Sequence, residues 1–484
     1  MLSPGPTRTL ALALAAGIAL WFGIGLQPPW WWAFLAPAPL LWLSFSRETN
    51  RDARLAAAVA TLIAATHYIP YFRLVMPVPA VVAATLGMAL TWYAPIMLAR
   101  VIVRRLRNGW SVLAWPLAWV VLDLLMARLL PDGNWGSPAY ALATAPMLLQ
   151  LASLAGTSGL LFVLCLPSSV LALLLWRGQR VRRPAWLAGA VVVVLAAASG
   201  FGAWRLHAPE TGTPMKIGLA SIDDAIGPHA AAGYRIAIRD RYDTLIATLA
   251  AQGAQLVLLP EKIAVLPADE LARWQTHFAE QARQHRLWLL AGIAEDGRHP
   301  HNLAWLFDPQ GRLTENYEKQ FPAPPERAQH YARGKDYALA DMGGTRWGMA
   351  ICKDMHFASL GHAYGMRDAA VMLVPAWDFD YVDAKLSSRM TAMRGVENGY
   401  VVARAAREGL LAITDAHGRT LLEDRSAAMP GHSAIATLPL APRQPTLYTR
   451  IGDAFGWICM TALLAMLATA LRKRRTLAPG TATR

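Results

Sequence analysis

The sequence predicts a multi-span α-helical membrane bundle that carries one large α/β domain, and three observations predict it. Hydrophobic residues make up 55% of the 484 positions and charged residues only 16%, a balance unlike that of a chain with a solvated surface throughout. The apolar residues are gathered into windows near twenty residues long, the length needed to cross a hydrocarbon layer as helix. Between about 214 and 447 the character changes, and short apolar runs alternate with amphipathic stretches.

Taken in order, the windows fall at about 8–26, 29–45, 54–71, 79–103, 110–130, 147–176 and 184–205, with an eighth at about 452–471. The first resembles a secretory signal, but no small-residue cleavage site precedes Trp21 and a second apolar stretch follows at once through Trp30-Trp31-Trp32, so it is read as a retained anchor. The third is the most polar, with His67, Pro70 and Arg73 at its end. Three regions result: a bundle over 1–210, a polar domain over 211–447, and a last span with a basic tail over 448–484.

Basic loops orient such a bundle, because short loops rich in Lys and Arg stay in the cytoplasm. Arg47, Arg51 and Arg54 follow the second window, Arg104, Arg105 and Arg107 the fourth, and Arg177, Arg180, Arg182 and Arg183 the sixth, while Arg472-Lys473-Arg474-Arg475 closes the last. The connections Gln27-Pro28-Pro29, Tyr71-Phe72-Arg73 and Asp132-Gly133-Asn134-Trp135 are poor in positive charge. If all eight windows cross, the arginines share one side, and the segment 214–447 lies on the other, which in a bacterium is the periplasmic face of the inner membrane.

Much of the formal charge of +14 sits in those loops and the tail, so it speaks for topology and not for nucleic acid. No basic-and-aromatic RNA-binding pattern, Walker loop or repeat accompanies it. Of three cysteines, Cys165 and Cys459 fall inside spans, which leaves Cys352 without a disulfide partner in the external segment. His299 and His301 lack a second His or Cys pair at ligand spacing, so no metal is expected.

The external segment, about 230 residues long, suffices for one domain with a large core. Strand-like runs at Lys216–Ala220, Gln255–Leu259, Leu287–Ile293, Leu303–Phe307, Trp347–Ile351, Val371–Val374 and Tyr400–Ala403 alternate with helical stretches at Tyr234–Ala251, Ala268–His285 and Ala384–Asn398. Sheets covered by helices are expected, with the number of layers left open by the pattern.

Three of these runs end on a reactive group. Glu261 closes Leu256-Val257-Leu258-Leu259-Pro260, Lys319 follows the strand at 302–307 and its turn Asp308-Pro309-Gln310-Gly311, and Cys352 closes Trp347-Gly348-Met349-Ala350-Ile351. Singly, a Cys in an apolar run is ordinarily a small core residue and a lone Lys is ordinarily solvated. Jointly they form a working set: a carboxylate takes the thiol proton, the sulfur attacks a carbonyl, and an ammonium stabilises the oxyanion.

An acid, a lysine and a cysteine in this order resemble the Glu-Lys-Cys set of the nitrilase superfamily. Over nearly its whole length the chain resembles the apolipoprotein N-acyltransferase family, through the span pattern, Asn134-Trp135, Leu149-Gln150-Leu151-Ala152, Gly156-Thr157-Ser158-Gly159, Leu259-Pro260-Glu261, Tyr317-Glu318-Lys319, Ile351-Cys352 and the helix Arg389 to Asn398. The resemblance implies a periplasmic four-layer αββα sandwich with Glu261 as general base, Lys319 as oxyanion stabiliser, Cys352 as nucleophile, Glu326 as a second glutamate and the Lys353 N–H as a further oxyanion donor. Arg394 and Glu397 would support the site, and Phe321, Lys353, Asp354 and Trp377 would contact substrate. Phospholipid would be the acyl donor, a diacylglyceryl-cysteine lipoprotein or lipopeptide the acceptor, and the bilayer a partner, with no cofactor.

The chain also departs from that family. Lys353-Asp354 stands where an aromatic residue and a glutamate are expected, the interval from Lys319 to Cys352 is short, and Phe321-Pro322-Ala323-Pro324-Pro325-Glu326 lacks a glycine before its glutamate. That segment reads equally as an apolar lid or as a Pro-rich connector. Acyl transfer from phospholipid to lipoprotein therefore stands beside a membrane-tethered amidase, in which water resolves the thioester. A degenerate scaffold is disfavoured by the intact triad.

Overall fold

The computed structural model describes residues 6–176, 185–209, 212–223, 232–379 and 381–476. Arg177, Arg180, Arg182 and Arg183 lie outside them. The chain divides into two compact units, one formed by residues up to Leu130, Asn134–Trp204 and the residues from Ile451, the other by Arg205–Arg450 with Pro131–Gly133.

Among the described residues the first unit holds helices and no strand. Among the described residues six helices are long and apolar enough to cross a bilayer: Asn50–Val75, Val78–Leu106, Gly109–Leu129, Ala152–Leu175, Trp186–Leu206 and Ala454–Arg472, with a shorter apolar helix at Thr7–Gly23. The stretch expected at 29–45 is instead broken into Trp30–Ala33 and Ala38–Ser46. Pro37 at the break has no N–H to donate, and nine residues of helix span about 14 Å, well short of the hydrocarbon thickness.

Conversely, His67 and Pro70 do not end the third span, because a 3₁₀ turn at Thr66–Tyr68 carries the chain into the helix Ile69–Val75. Residues 71–73, expected as a connection, thus lie within helix. Trp92, Trp115 and Trp119 pack ring against ring with centroids 4.7–6.2 Å apart. Asn134 from the sequence motif donates to Asp123 at 2.9 Å and accepts from Tyr140 at 3.0 Å, so its amide is satisfied away from water.

The second unit holds two sheets. In spatial order one runs His432–Leu440, Thr213–Ser221, Leu256–Leu258, Trp288–Glu295, His301–Phe307, Leu313–Glu318, with Val265–Leu266 paired beside Trp288–Glu295. The other runs Thr420–Arg425, Leu410–Thr414, Val401–Arg407, Ala369–Trp377, Thr345–Met349, Leu339–Met342. Alternation along each strand sets the layers. Leu256 and Leu258 share one apolar cluster with Val371, Leu373, Ala403 and Trp347, which lies between the sheets. Val257 and Leu259 join Ile246, Trp274 and Phe278 of the helices Ala232–Ala251 and Ala268–His285. Met372 and Val374 face Leu360 and Tyr364 of the helix Ala358–Gly365. The result is the four-layer αββα sandwich.

Candidate active site

Glu261 is delivered by the strand Leu256–Leu258, whose buried run stops at Pro260. Its N–H donates to Ala376 O of the other sheet at 3.3 Å, and the next turn is tied down by Ile263 N–H to Gly292 O at 2.9 Å. The approach needs a glycine at 292, since a Cβ there would fall 2.4 Å from Pro260 O and 2.7 Å from Glu261 Cα. Lys319 extends the edge strand Leu313–Glu318 by one residue, and its N–H donates to Asn302 O at 2.9 Å. Alternation from the buried Tyr317 turns Lys319 inward, where it is 2% exposed.

The charged groups converge. Lys319 Nζ lies 2.7 Å from Glu261 Oε1 and 2.8 Å from Glu326 Oε2. Asn302 Nδ2 donates to Glu261 Oε1 at 2.6 Å and to Glu326 Oε1 at 2.7 Å, and Lys262 Nζ pairs with Glu326 Oε1. The Pro-rich segment that leads to Glu326 folds into the short helix Pro324–Ala328, in which Glu326 Oε2 accepts from Ala323 N–H at 2.7 Å. Its visible role is to aim that carboxylate.

Burial alone would weaken each charge, but the pairing outweighs it. The charges of Glu261 and Glu326 hold the Lys319 ammonium well above the usual lysine range, and those of Lys319 and Lys262 hold Glu326 well below the usual carboxylate range.

Cys352 opens a 3₁₀ turn, Cys352–His356, at the end of the strand Thr345–Met349 and its extension through Ile351. Its φ of +47° is in the left-handed region, a conformation that costs a non-glycine residue about 1–2 kcal/mol and persists where the surroundings enforce it. The Sγ–H donates to Trp377 O at 3.5 Å. Burial, and after it the Glu261 charge, push the thiol up, while Lys319 pulls it down and does not prevail. Burial and the Glu261 charge thus favour the neutral thiol.

The remaining sequence-selected residues are placed as follows. Asp354 is fully buried, and its two oxygens accept from Ile351 N–H at 3.0 Å, Tyr317 Oη–H at 2.8 Å, Gln320 N–H at 3.1 Å and Phe321 N–H at 2.8 Å. It clamps the turn after Lys319 to the turn at Cys352. Lys353 Nζ donates to Asp132 Oδ1, to Pro131 O at 3.1 Å and to Pro322 O at 3.3 Å, and burial lowers its ammonium to about 8. Phe321 stacks on Phe357 with centroids 3.8 Å apart. The Trp377 ring lies under the Arg407 guanidinium at 4.1 Å, and its Nε1–H donates to Glu408 at 3.1 Å. Arg394 and Glu397 pair with each other at 3.2 Å on the buried helix Ala384–Asn398. His301 pairs with Glu318.

Three features escape sequence reading. Lys262 is second to Glu261 in the chain and looks like any lysine after a strand. Asn302 is the second residue of the strand His301–Phe307 and differs from any polar strand residue only through its partners. The buried pair Arg404–Asp378, with Nη1 to Oδ2 at 2.9 Å, sits close enough for both charges to act on Cys352. The Arg at 404 inside an apolar strand was the one available signal.

Residues 230–438 match the carbon-nitrogen hydrolase family, and residues 16–170 match the apolipoprotein N-acyltransferase N-terminal domain. The apolipoprotein N-acyltransferase of Geobacter metallireducens is 27% identical over 97% of this chain and 96% of its own length. That of Brucella melitensis is 24% identical over 96% and 86%. An amidase from Nesterenkonia sp. of known crystal structure matches at a TM-score of 0.41 and 22% identity, over 46% of this chain and 90% of its own.

Proposed function

Because the chain belongs to the apolipoprotein N-acyltransferase family, we propose that Cys352 takes an acyl group from a phospholipid as a thioester and passes it to the free α-amine of a diacylglyceryl-cysteine lipoprotein. The observation that carries this reading is the buried contact of Lys319 with Glu261 and Glu326, with the charges of Lys319 and Glu261 acting on the thiol of Cys352.

In the first half-reaction Glu261 accepts the Sγ proton as sulfur bonds to the ester carbonyl carbon, and the carbonyl electron pair moves to oxygen. Lys319 and the Lys353 N–H hold that oxyanion. Collapse breaks the carbon–oxygen bond, and Glu261 returns the proton to the departing lysophospholipid alkoxide. In the second half-reaction the amine attacks the thioester, Glu261 takes its proton, and the Cys352 sulfur leaves and is reprotonated. One ester is consumed and one amide is formed.

The residues of the triad and their roles belong to this proposal, as does a bacterial inner-membrane location with the catalytic domain on the periplasmic face. The arginines gathered at helix ends, Arg47, Arg51 and Arg54 and then Arg104, Arg105 and Arg107, support that orientation. Phospholipid, lipoprotein and bilayer are the partners it requires.

Acceptor dependence tests the reading. Purified protein incubated with phospholipid alone should hold its acyl group, and discharge it on addition of a synthetic diacylated lipopeptide. Rapid discharge in buffer, together with ammonia release from small amides, would replace acyl transfer by amidase chemistry.

A further inference from the structure

Lys262 is unusually built for a residue that follows a catalytic acid. It is 6% exposed, adopts a left-handed φ of +51°, and its carbonyl accepts from Arg407 Nη1 at 2.8 Å. Its ammonium pairs with Glu326 Oε1 and lies 4.2 Å from the centroid of the Tyr331 ring and 5.9 Å from that of Trp377. Two carboxylates and two ammonium groups thus share one buried pocket of charge.

The two carboxylates are not equally served. Glu326 meets Lys319, Lys262, Asn302 and the Ala323 N–H, spread over both oxygens. Glu261 meets Lys319 and Asn302, both on Oε1. A proton entering this pocket goes to the carboxylate with fewer donors, because each donor lost to protonation is a stabilising interaction lost.

We propose that Lys262 is a positioning residue that holds Glu326 ionised and thereby directs the thiol proton to Glu261. This rests on the acyl-transfer reading, in which one carboxylate must be the base. Without Lys262, two carboxylates would share the single cation Lys319, and the pair would take up a proton at higher pH, in the manner of carboxylates that share a site. The charged and titratable groups facing the pocket are Glu261, Lys319, Glu326, Cys352, Arg407 and Tyr331, with Asp378 acting on Glu261 and Cys352, Arg404 on Cys352, Asp354, Lys353 and His356 beside Lys319, and Asp296 acting on Tyr331; burial keeps that phenol neutral.

The test is the acid limb of kcat/KM for transfer from phospholipid micelles to a diacylated lipopeptide, measured on the full chain in detergent. Lys262→Met should move the limb to higher pH by about one unit, so that tenfold of the rate is lost on its acid side and recovered at higher pH. Lys262→Arg should keep the parental limb. Glu326→Gln, which leaves Lys262 uncompensated, should move the limb to lower pH, and Lys262→Met added to it should undo that movement. The second comparison stands even if Lys262→Met alone fails to fold.

A rate loss uniform across pH, or a Glu326→Gln limb indifferent to Lys262, would overturn the inference while leaving acyl transfer intact. Should the parent form no acyl-enzyme from phospholipid, acyl transfer itself fails, and the same limbs are then read on hydrolysis of a small amide.

Discussion

Lys319 Nζ lies 2.7 Å from Glu261 Oε1, with both side chains almost wholly removed from water. That contact joins the proposed base and the proposed oxyanion donor in one electrostatic unit, and after burial, the larger effect, the two residues act on the Cys352 thiol with opposite signs. Glu261 raises the Cys352 thiol and Lys319 lowers it.

Glu261→Gln should therefore reduce turnover by on the order of a hundred-fold or more and also slow alkylation of Cys352 by iodoacetamide at fixed pH, because the buried neutral thiol loses the group that takes its proton. Lys319→Met should reduce both turnover and alkylation. Alkylation that stays level or quickens in Glu261→Gln would argue against its role as acceptor of the thiol proton.

Glu326 supplies the pH prediction. Its folded-state acidity is held below the usual carboxylate range by Lys319 and Lys262 against burial, so the stability it contributes is complete above the ordinary glutamate pKa of about 4.3. That contribution is lost progressively as pH falls toward the depressed value, at about 1.4 kcal/mol per pH unit. Melting temperatures of parent and Glu326→Gln should fall at different rates between pH 6 and pH 3, with the steeper fall in the parent. Equal slopes would mean that Glu326 is not held as an ionised partner.

Asp354 is expected to act through the backbone. Asp354→Ala orphans three N–H groups and the Tyr317 hydroxyl, at about 1–3 kcal/mol for each buried donor left unpaired. Thermal unfolding should show a loss of several kcal/mol, much larger than that for Tyr317→Phe. Parental stability with a raised KM for lipopeptide alone would instead make Asp354 a substrate contact.

Topology is read by reporter fusions. Alkaline phosphatase joined at Lys216 should be active and joined at Arg484 silent, as the arginine asymmetry requires. The reverse pattern would put the catalytic domain in the cytoplasm.

Much of this was legible in the residues, for definite physical reasons. The helices Ala268–His285 and Ala384–Asn398 have the bounds their patterns predict. Apolar runs that stop abruptly marked the strand ends bearing Glu261 and Cys352. The strands Thr420–Arg425 and Leu410–Thr414 were not legible, the first because it is a largely exposed edge with no apolar alternation, the second because a short buried run has no period to read.

Strand order, and with it the meeting of Asn302 and Lys262 with Glu326, depends on partners distant in sequence that no local pattern encodes. Asp354 illustrates the same limit. Beside Cys352 it reads as a substrate contact, whereas the 3₁₀ turn buries its carboxylate against donors of its own chain.

The most direct measurement is the site-resolved mass of the protein after incubation with phospholipid alone. The acyl mass should appear on the peptide that contains Cys352, vanish on treatment with hydroxylamine as a thioester does, and be absent in Cys352→Ala, while Cys165→Ala and Cys459→Ala retain it. An acyl mass on any other residue, or full transfer activity in Cys352→Ala, would contradict the mechanism at its first step.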